Sequence, residues 1–298
     1  MPGRVLVSGV SGPIGSALLP RLSSAGYETT RLVRTTPSAP NQIFWDPAIP
    51  PAPDSLSGFE AVVHLAGETI VGRWTEAKKR RIVESRVPVT RNLAGALAQA
   101  AQRPQVFISA SAVGYYGDRG DQILREDSPP GEGFAPQLCR EWEAASDPAA
   151  KAGIRTVQLR IGMVLSARGG ALARMLPPFR LGLGGNLGNG RQWLSWVTAE
   201  DVAGIVVHAI RTESLKGPVN TVAPQCVSNA EFTRTLARVL SRRSVFPLPA
   251  FAARLAFGQM ADEILLSSQR VEPARLQAAG YRFQDPDLEP ALRRILRS

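Results

Sequence analysis

The stretch RVLVSGVSGPIGSALLPRL, residues 4–22, decides how this chain folds. It opens with a short apolar run of strand length, turns through Gly9, Gly12 and Gly15 in a GxxGxxG spacing, and continues into a segment that reads as a helix. Glycines in that context permit a tight turn, let the backbone approach a pyrophosphate with no Cβ in the way, and allow close helix–strand packing. The start of the helix adds free N–H donors and the positive end of its dipole. Pro13 suits the first helical turn, where a missing N–H leaves no intrahelical partner wanting. Pro20 sits badly, since a proline inside a helix kinks it or costs about 3 kcal/mol.

Outward from this turn, apolar runs alternate with amphipathic stretches across the first two thirds of the chain, the pattern of βαβ units feeding a parallel sheet. Strands are predicted at Arg4–Gly9, Thr29–Val33, Ala61–Ala66, Gln105–Ala110, Arg155–Ile161 and Pro218–Val222. Thr198-Ala-Glu-Asp201 reads as a capping box in which both the Thr oxygen and the Asp carboxylate satisfy free N–H groups. Val202, Ile205, Val206, Ala209 and Ile210 follow at helical spacing, and Ser228-Asn-Ala-Glu231 opens a second such helix. Thr36–Asp54 carries six prolines and is predicted to wrap the surface as a loop. Gly117–Gly133 and the glycine-rich 169–190 read as further long loops, which are usually functional or disordered. The fold class is therefore α/β: a Rossmann-like, doubly wound parallel sheet with a smaller C-terminal lobe on the substrate side. Residues 1–222 form the dinucleotide-binding domain, with a substrate-lobe insertion at about 169–196, and residues 223–298 form the smaller domain.

Hydrophobic residues are 44% and charged residues 20% of the 298, which excludes an extended disordered chain. The net charge of +10 raises nucleic acid, anionic membrane and anionic small molecules as partners. The bases are scattered, and no DNA- or RNA-reading motif accompanies them, so nucleic acid is not expected. No run approaches the ~18 apolar residues of a membrane span. Cys139 and Cys226 lie far apart with no CxxC, which argues against a zinc site or a disulfide framework. A cytoplasmic protein acting on a small molecule is the expectation, with monomer and homodimer both open. No GxSxG elbow is present, so serine-hydrolase logic fails.

The end of the second strand reports on the cofactor. A protein selecting NAD usually places an acid about 20 residues beyond the turn to bond the ribose 2′-hydroxyl. Here the strand ends in Arg34-Thr35, and Glu28 comes too early. An arginine there pairs with a 2′-phosphate through its planar fork, so NADP(H) is favoured over NAD(H).

GVSGPIG, HLAGETIVGRW at 64–74 and SASAVGYYG at 109–117 resemble, in this order, the extended short-chain dehydrogenase/reductase superfamily. RWTEAKKRRIVESRVPVTRNL, LCREWEAA, the long segment from Leu159 to Ala203, GPVNTVAPQCVSNAEFTRTLARVL and VEPARLQAAGYRF look like its atypical branch called the epimerase family. That resemblance implies that Gly9, Ser11, Gly12, Pro13, Ile14 and Gly15 form the pyrophosphate turn and that Arg34 meets the 2′-phosphate. It places Leu65, Ala66 and Gly67 beside the adenosine, and Ser85 and Arg86 on the opposite side of the cofactor. Ser109 and Ser111 then end the fourth strand, while Leu159, Arg160 and Gly162 end the fifth.

The same resemblance exposes a gap. The superfamily uses a Tyr as acid/base with a Lys four residues later, but here Phe134 and Leu138 stand at those positions, as the branch implies. Phe cannot transfer a proton, so the usual mechanism cannot run. Ser111 keeps its place, and Tyr115 or Tyr116 is the candidate proton donor, with Arg160 lowering its pKa; packing under a loop is the alternative for both tyrosines. Asp118 and Glu68 are other acids within reach. His64 reads as a core residue, His208 has no chemistry, and Trp193, Trp196, Met175 and Phe179 either line an apolar pocket or form core. Two functions follow: an NADP(H)-dependent oxidoreductase or epimerase on a small, unidentified substrate, with a nucleotide-linked one among the options, or a catalytically silent dinucleotide-binding sensor or regulatory protein.

Overall fold

The computed structural model describes residues 2–297. Its centre is a seven-stranded sheet of β1 (Arg4–Ser8), β2 (Glu28–Val33), β3 (Gln42–Phe44), β4 (Ala61–His64), β5 (Val106–Ala112), β6 (Arg155–Ile161) and β7 (Gly217–Thr221). The order is β7-β6-β5-β4-β1-β2-β3 and every pairing is parallel. The chain winds outward from β1 in one direction and then, after β3, returns to fill the other. The crevice this leaves at the carboxyl ends of β1 and β4 is where open sheets of this kind bind ligands.

Alternate strand residues serve opposite faces, which is why the strands read as nearly continuous apolar runs. Val5 and Val7 pack with Leu18 and Leu22 of helix Pro13–Ser24 and with Val202 and Val206 of helix Ala199–Arg211. Leu6, Val62 and Phe107 face the other way, onto Leu93 and Leu97 of helix Val87–Gln99. Helix Pro13–Ser24 runs through Pro20 unbroken. Pro20 and Ser16 lie on its exposed side, so the Ser16 carbonyl that loses its donor faces water.

Three local expectations are corrected. The glycine-rich 169–190 stretch is not all loop, since Gly170–Arg180 is a helix whose Leu172, Leu176 and Phe179 are buried. The proline-rich 36–54 stretch is not all surface loop: it contributes β3, whose Ile43 pairs with Leu32 and joins the second apolar cluster beside buried Trp45. The Thr198 box forms by half. Thr198 Oγ1 accepts from Asp201 N at 3.1 Å, but the Asp201 carboxylate, 3.3 Å from Thr198 Oγ1, accepts from Gln284 N, Asp285 N and the Tyr281 hydroxyl at 2.8, 2.9 and 2.9 Å rather than from the backbone at the cap. The C-terminal segment is thereby tied to the sheet layer.

Helices Gly170–Arg180, Asn229–Val239 and Leu288–Arg297 assemble a further core from Leu172, Leu176, Phe179, Phe232, Leu236 and Leu292 around fully buried Trp196. Phe179 and Trp196 are therefore core, with partly buried Met175 against them. Trp193 instead is half-buried at the rim, its Nε1 donating to Asp121 Oδ1 at 2.8 Å and Arg270 lying over its ring. Among the described residues no helix is long and apolar enough to cross a membrane, and no cluster of three or more His, Cys, Asp or Glu is arranged to hold a metal ion.

Candidate functional site

The turn after β1 assigns each glycine a different task. Gly9 has φ +77°, and a Cβ there would stand 2.6 Å from the backbone of Leu65 and Ala66, so β4 can end beside the turn only because Gly9 is bare. A Cβ on Gly15 would stand 2.4 Å from Val10 Cα, which lets the helix close onto the turn. Gly12 differs: the nearest protein atom to a Cβ there is 3.9 Å away. Nothing in the protein needs that position empty, so the space in front of Gly12 fits a ligand whose phosphates approach the backbone. Exposed Ser11 and the opening of the helix at Pro13 and Ile14 border the same space.

Beyond β4, Leu65, Ala66 and Gly67 form a loop pinned by the Ser85–Arg86 pair. Ser85 Oγ accepts from Glu68 N at 3.0 Å, and Arg86 Nη2 donates to Glu68 O at 2.9 Å. A Cβ on Gly67 would press to 3.2 Å from the Arg86 guanidinium carbon. Arg86 is buried, stacked over Trp142, and its Nη1 is taken by Ser85 Oγ and Ile82 O. Its charge therefore holds the loop rather than standing free. Arg34 is the contrast. It sits exposed past the end of β2, and its guanidinium makes no hydrogen bond or ion pair with another described residue.

Register then gathers residues far apart in sequence. Ser8, His64, Ser109 and Gln158 stand side by side across β1, β4, β5 and β6. One step closer to the carboxyl edge, Ser111, Arg160 and Asn220 do the same across β5, β6 and β7. In the first row Ser8 Oγ and His64 Nδ1 are 2.6 Å apart, and burial, with Arg86 nearby, lowers the His64 pKa to about 4. His64 is a neutral core residue. His208 is half-buried, 3.4 Å from Thr212 Oγ1.

The second row is a buried network. Arg160 Nε and Nη2 donate to Glu143 Oε1 and Oε2 at 2.8 and 2.9 Å, and Ser111 donates to Glu143 Oε1 at 2.7 Å. Arg160 Nη1 donates to the Tyr116 hydroxyl at 3.0 Å, which donates to Asn220 Oδ1 at 2.6 Å. Glu126 closes the network from below, accepting from Asn220 N and Arg275 N. Tyr116 is fully buried, and burial pushes its pKa up to about 12 despite the Arg160 cation beside it. The expected lowering by Arg160 is outweighed, because desolvating a phenolate costs more than one already-paired guanidinium returns. Tyr115 is half-buried, its ring 3.5 Å under the Arg160 guanidinium and edge-on to Tyr116; its hydroxyl makes no hydrogen bond with a described residue. Leu159 is wholly core, and a Cβ on Gly162, just past β6, would stand 2.5 Å from Ser195 O.

Helix Phe134–Ala144 carries the two departures from the superfamily pair. The Phe134 ring packs edge-on to Trp74 at 5.0 Å, and Leu138 is buried. The helix N-terminus is capped from the C-terminal lobe, where Glu263 accepts from Phe134 N and Ala135 N at 3.1 and 2.6 Å. Among the other acids considered, Asp118 accepts from Gly120 N and Ser268 N, and Glu68 pairs with Lys78 at 2.6 Å. Glu143, Glu126, Asn220 and Glu263 are functional-site neighbours that sequence reasoning missed. Only Glu143 carried a signal, as the acid next to Trp142 in LCREWEAA with no base three or four positions later.

This geometry has counterparts. A family model described as the NAD dependent epimerase/dehydratase family matches residues 5–222, and one for a domain of unknown function, DUF1731, matches residues 248–295. The epimerase family protein SDR39U1 of Homo sapiens is 40% identical, over 98% of this chain and 99% of its own. The epimerase family protein ML0860 of Mycobacterium leprae is 41% identical, over 97% and 94%. The crystal structure of human SDR39U1 isoform 2 with NADPH superposes with a TM-score of 0.90 at 38% identity, covering 99% of each chain. With a switch-point crevice, a glycine turn open in front of Gly12, and near full-length likeness to these proteins, the chain belongs to the NAD dependent epimerase/dehydratase family.

Proposed function

We propose that the protein binds NADP(H) in the crevice between β1 and β4 and acts as an oxidoreductase or epimerase on a small molecule in the cytoplasm. The observation that carries this is the room in front of Gly12, kept clear by a turn whose other two glycines are filled by the protein itself. Gly9, Ser11, Gly12, Pro13, Ile14 and Gly15 would hold the pyrophosphate, Leu65 to Gly67 the adenosine side, and Arg34 the 2′-phosphate. The solved structure of human SDR39U1 with NADPH supports the choice of cofactor. Residues 1–222 would be the cofactor domain, and 223–298 with 169–196 the lobe that completes the substrate side.

When bound, the dinucleotide supplies or accepts the hydride. The protein's part is orientation and the proton. Ser111 has its hydrogen committed to Glu143, so it presents lone pairs and accepts from a substrate hydroxyl. Tyr115 is the proton donor of choice, because its hydroxyl has no partner among the described residues while that of Tyr116 is buried and engaged. A second reading, a sensor without turnover, is favoured by Phe134 and Leu138, both packed into apolar surroundings.

Titration of the protein with NADPH, read by fluorescence or calorimetry, tests the cofactor reading. Arg34→Ala removes charge-assisted hydrogen bonds worth about 1.5–3 kcal/mol, so NADPH affinity falls roughly ten- to a hundredfold while NADH affinity holds. Absence of saturable binding by the unaltered protein defeats the proposal.

A further inference from the structure

The phosphate turn, residues 9–16, contains no charged side chain. A pyrophosphate there would meet N–H donors and a helix dipole but no cation. Arg86, which pins the loop after β4, is buried and committed to Ile82, Ser85 and Glu68.

A cation is brought from a different part of the chain. After β6 the backbone passes through the short strand Met163–Leu165 and comes back toward the turn. Ser166 Oγ accepts from Arg168 N at 3.2 Å, which bends the chain tightly. Gly169 follows in extended conformation, and a Cβ on it would stand 3.1 Å from Pro13 Cγ, the first residue of the phosphate-binding helix. Gly170, with φ +76°, then turns the chain into helix Gly170–Arg180. A glycine is thus used to seat this segment against the phosphate turn. Arg168 projects from that seat, exposed, and its guanidinium makes no hydrogen bond or ion pair with another described residue.

We propose that Arg168 closes over the pyrophosphate and supplies the cation that the turn lacks. The inference rests on the NADP(H) reading. It assigns the glycine-rich segment to cofactor retention, with Arg34 and Arg168 gripping chemically different phosphates. Arg34 reads the 2′-phosphate and so discriminates between cofactors. Arg168 grips a group common to both and contributes affinity without selectivity.

The test is a binding titration of the intact protein with NADPH and NADH for the unaltered chain, Arg168→Ala, Arg168→Glu and Arg34→Ala. Arg168→Ala is expected to weaken NADPH binding about tenfold and leave the ratio of NADPH to NADH affinity unchanged. Arg168→Glu, which adds repulsion, weakens it further. Arg34→Ala collapses the ratio. Melting temperatures should match the unaltered protein, because Arg168 is exposed and its guanidinium bonds to no described residue. Arg168→Ala within twofold of the unaltered protein, or a loss confined to NADPH, overturns the assignment while the cofactor reading stands. Failure of the unaltered protein to bind NADPH overturns both.

Discussion

Glu143 is the acid on which the buried row depends, and its removal should be expensive. Its carboxylate receives Arg160 Nε, Arg160 Nη2 and Ser111 Oγ at 2.8, 2.9 and 2.7 Å, with side chains only 3% exposed for Arg160 and 14% for Glu143. Glu143→Leu leaves Arg160 with the Tyr116 hydroxyl and the Glu126 carbonyl, neither charged. Stranding one partner of a buried pair costs about 3–5 kcal/mol. Unfolding entropy of about 2.1 cal/mol/K per residue, taken over 298 residues, is roughly 0.6 kcal/mol/K, so the midpoint should fall by about 5–8 °C. Arg160→Met should cost a similar amount, since it leaves the carboxylate buried and unpaired. The double variant Glu143→Leu/Arg160→Met removes both charges, and replacing a buried pair by apolar groups is often close to neutral. It should therefore melt above either single variant. Calorimetric or circular-dichroism melts of the four proteins form the cycle. If the two single losses simply add, to within the ~0.5 kcal/mol typical of uncoupled sites, the pair is not the unit described here.

The glycines give a sharper contrast. Gly12→Ala meets no protein atom closer than 3.9 Å, so it should fold and melt normally yet lose NADPH binding, whereas Gly15→Ala forces a 2.4 Å contact and should lower the melting temperature itself; Gly12→Ala binding NADPH normally would remove the reason for the open space. His64 supplies a pH dependence. Its folded pKa of about 4 lies below the ordinary 6.5, so the folded state keeps it neutral while the unfolded state takes up a proton first. Its contribution to stability is whole above pH 6.5, is lost at about 1.4 kcal/mol per pH unit between 6.5 and 4, and changes no further below. His64→Asn should remove that slope from denaturant-measured stability, and a variant with the same slope as the unaltered protein would contradict the assignment.

The parts of this molecule that were legible in the sequence are those fixed by backbone demands on near neighbours. Gly9, Gly12 and Gly15 follow one another within a single turn, and what they do depends on the strand before them and the helix after. Ser228 and Thr198 cap their helices through bonds spanning three residues. Legibility stops where a partner comes from another strand. Ser111, Arg160 and Asn220 become neighbours through the registers of β5, β6 and β7, and no local pattern announces a register. Asp201 looked like half of a capping box because its spacing is right, yet the backbone of Gln284 and Asp285 competes for its carboxylate and wins. Charge was the least legible feature. Of the arginines that the sequence places around the cofactor and the proton donor, Arg34, Arg86 and Arg160, only Arg34 has its guanidinium free among the described residues, because the other two are buried against Glu68 O and Glu143.

Helix Phe134–Ala144 explains why the missing Tyr and Lys are not a simple loss. Phe134, Leu138 and Trp142 recur at four-residue spacing and form one apolar ridge with Trp74 and Ile82. Glu263 holds the helix at its first turn, and Glu143 holds it at the last through Arg160. Reinstating the pair by Phe134→Tyr and Leu138→Lys would put an ammonium group into that apolar cluster, at the cost of burying a charge. The helix is a spar between the C-terminal lobe and the sheet, with Leu138 buried in the core and Phe134 half-buried against Trp74. In the proposed function the proton is handled from the other side of the crevice. There β5 delivers Ser111, with its hydrogen fixed on Glu143, and the turn after it delivers Tyr115, with its ring against Arg160 and its hydroxyl uncommitted.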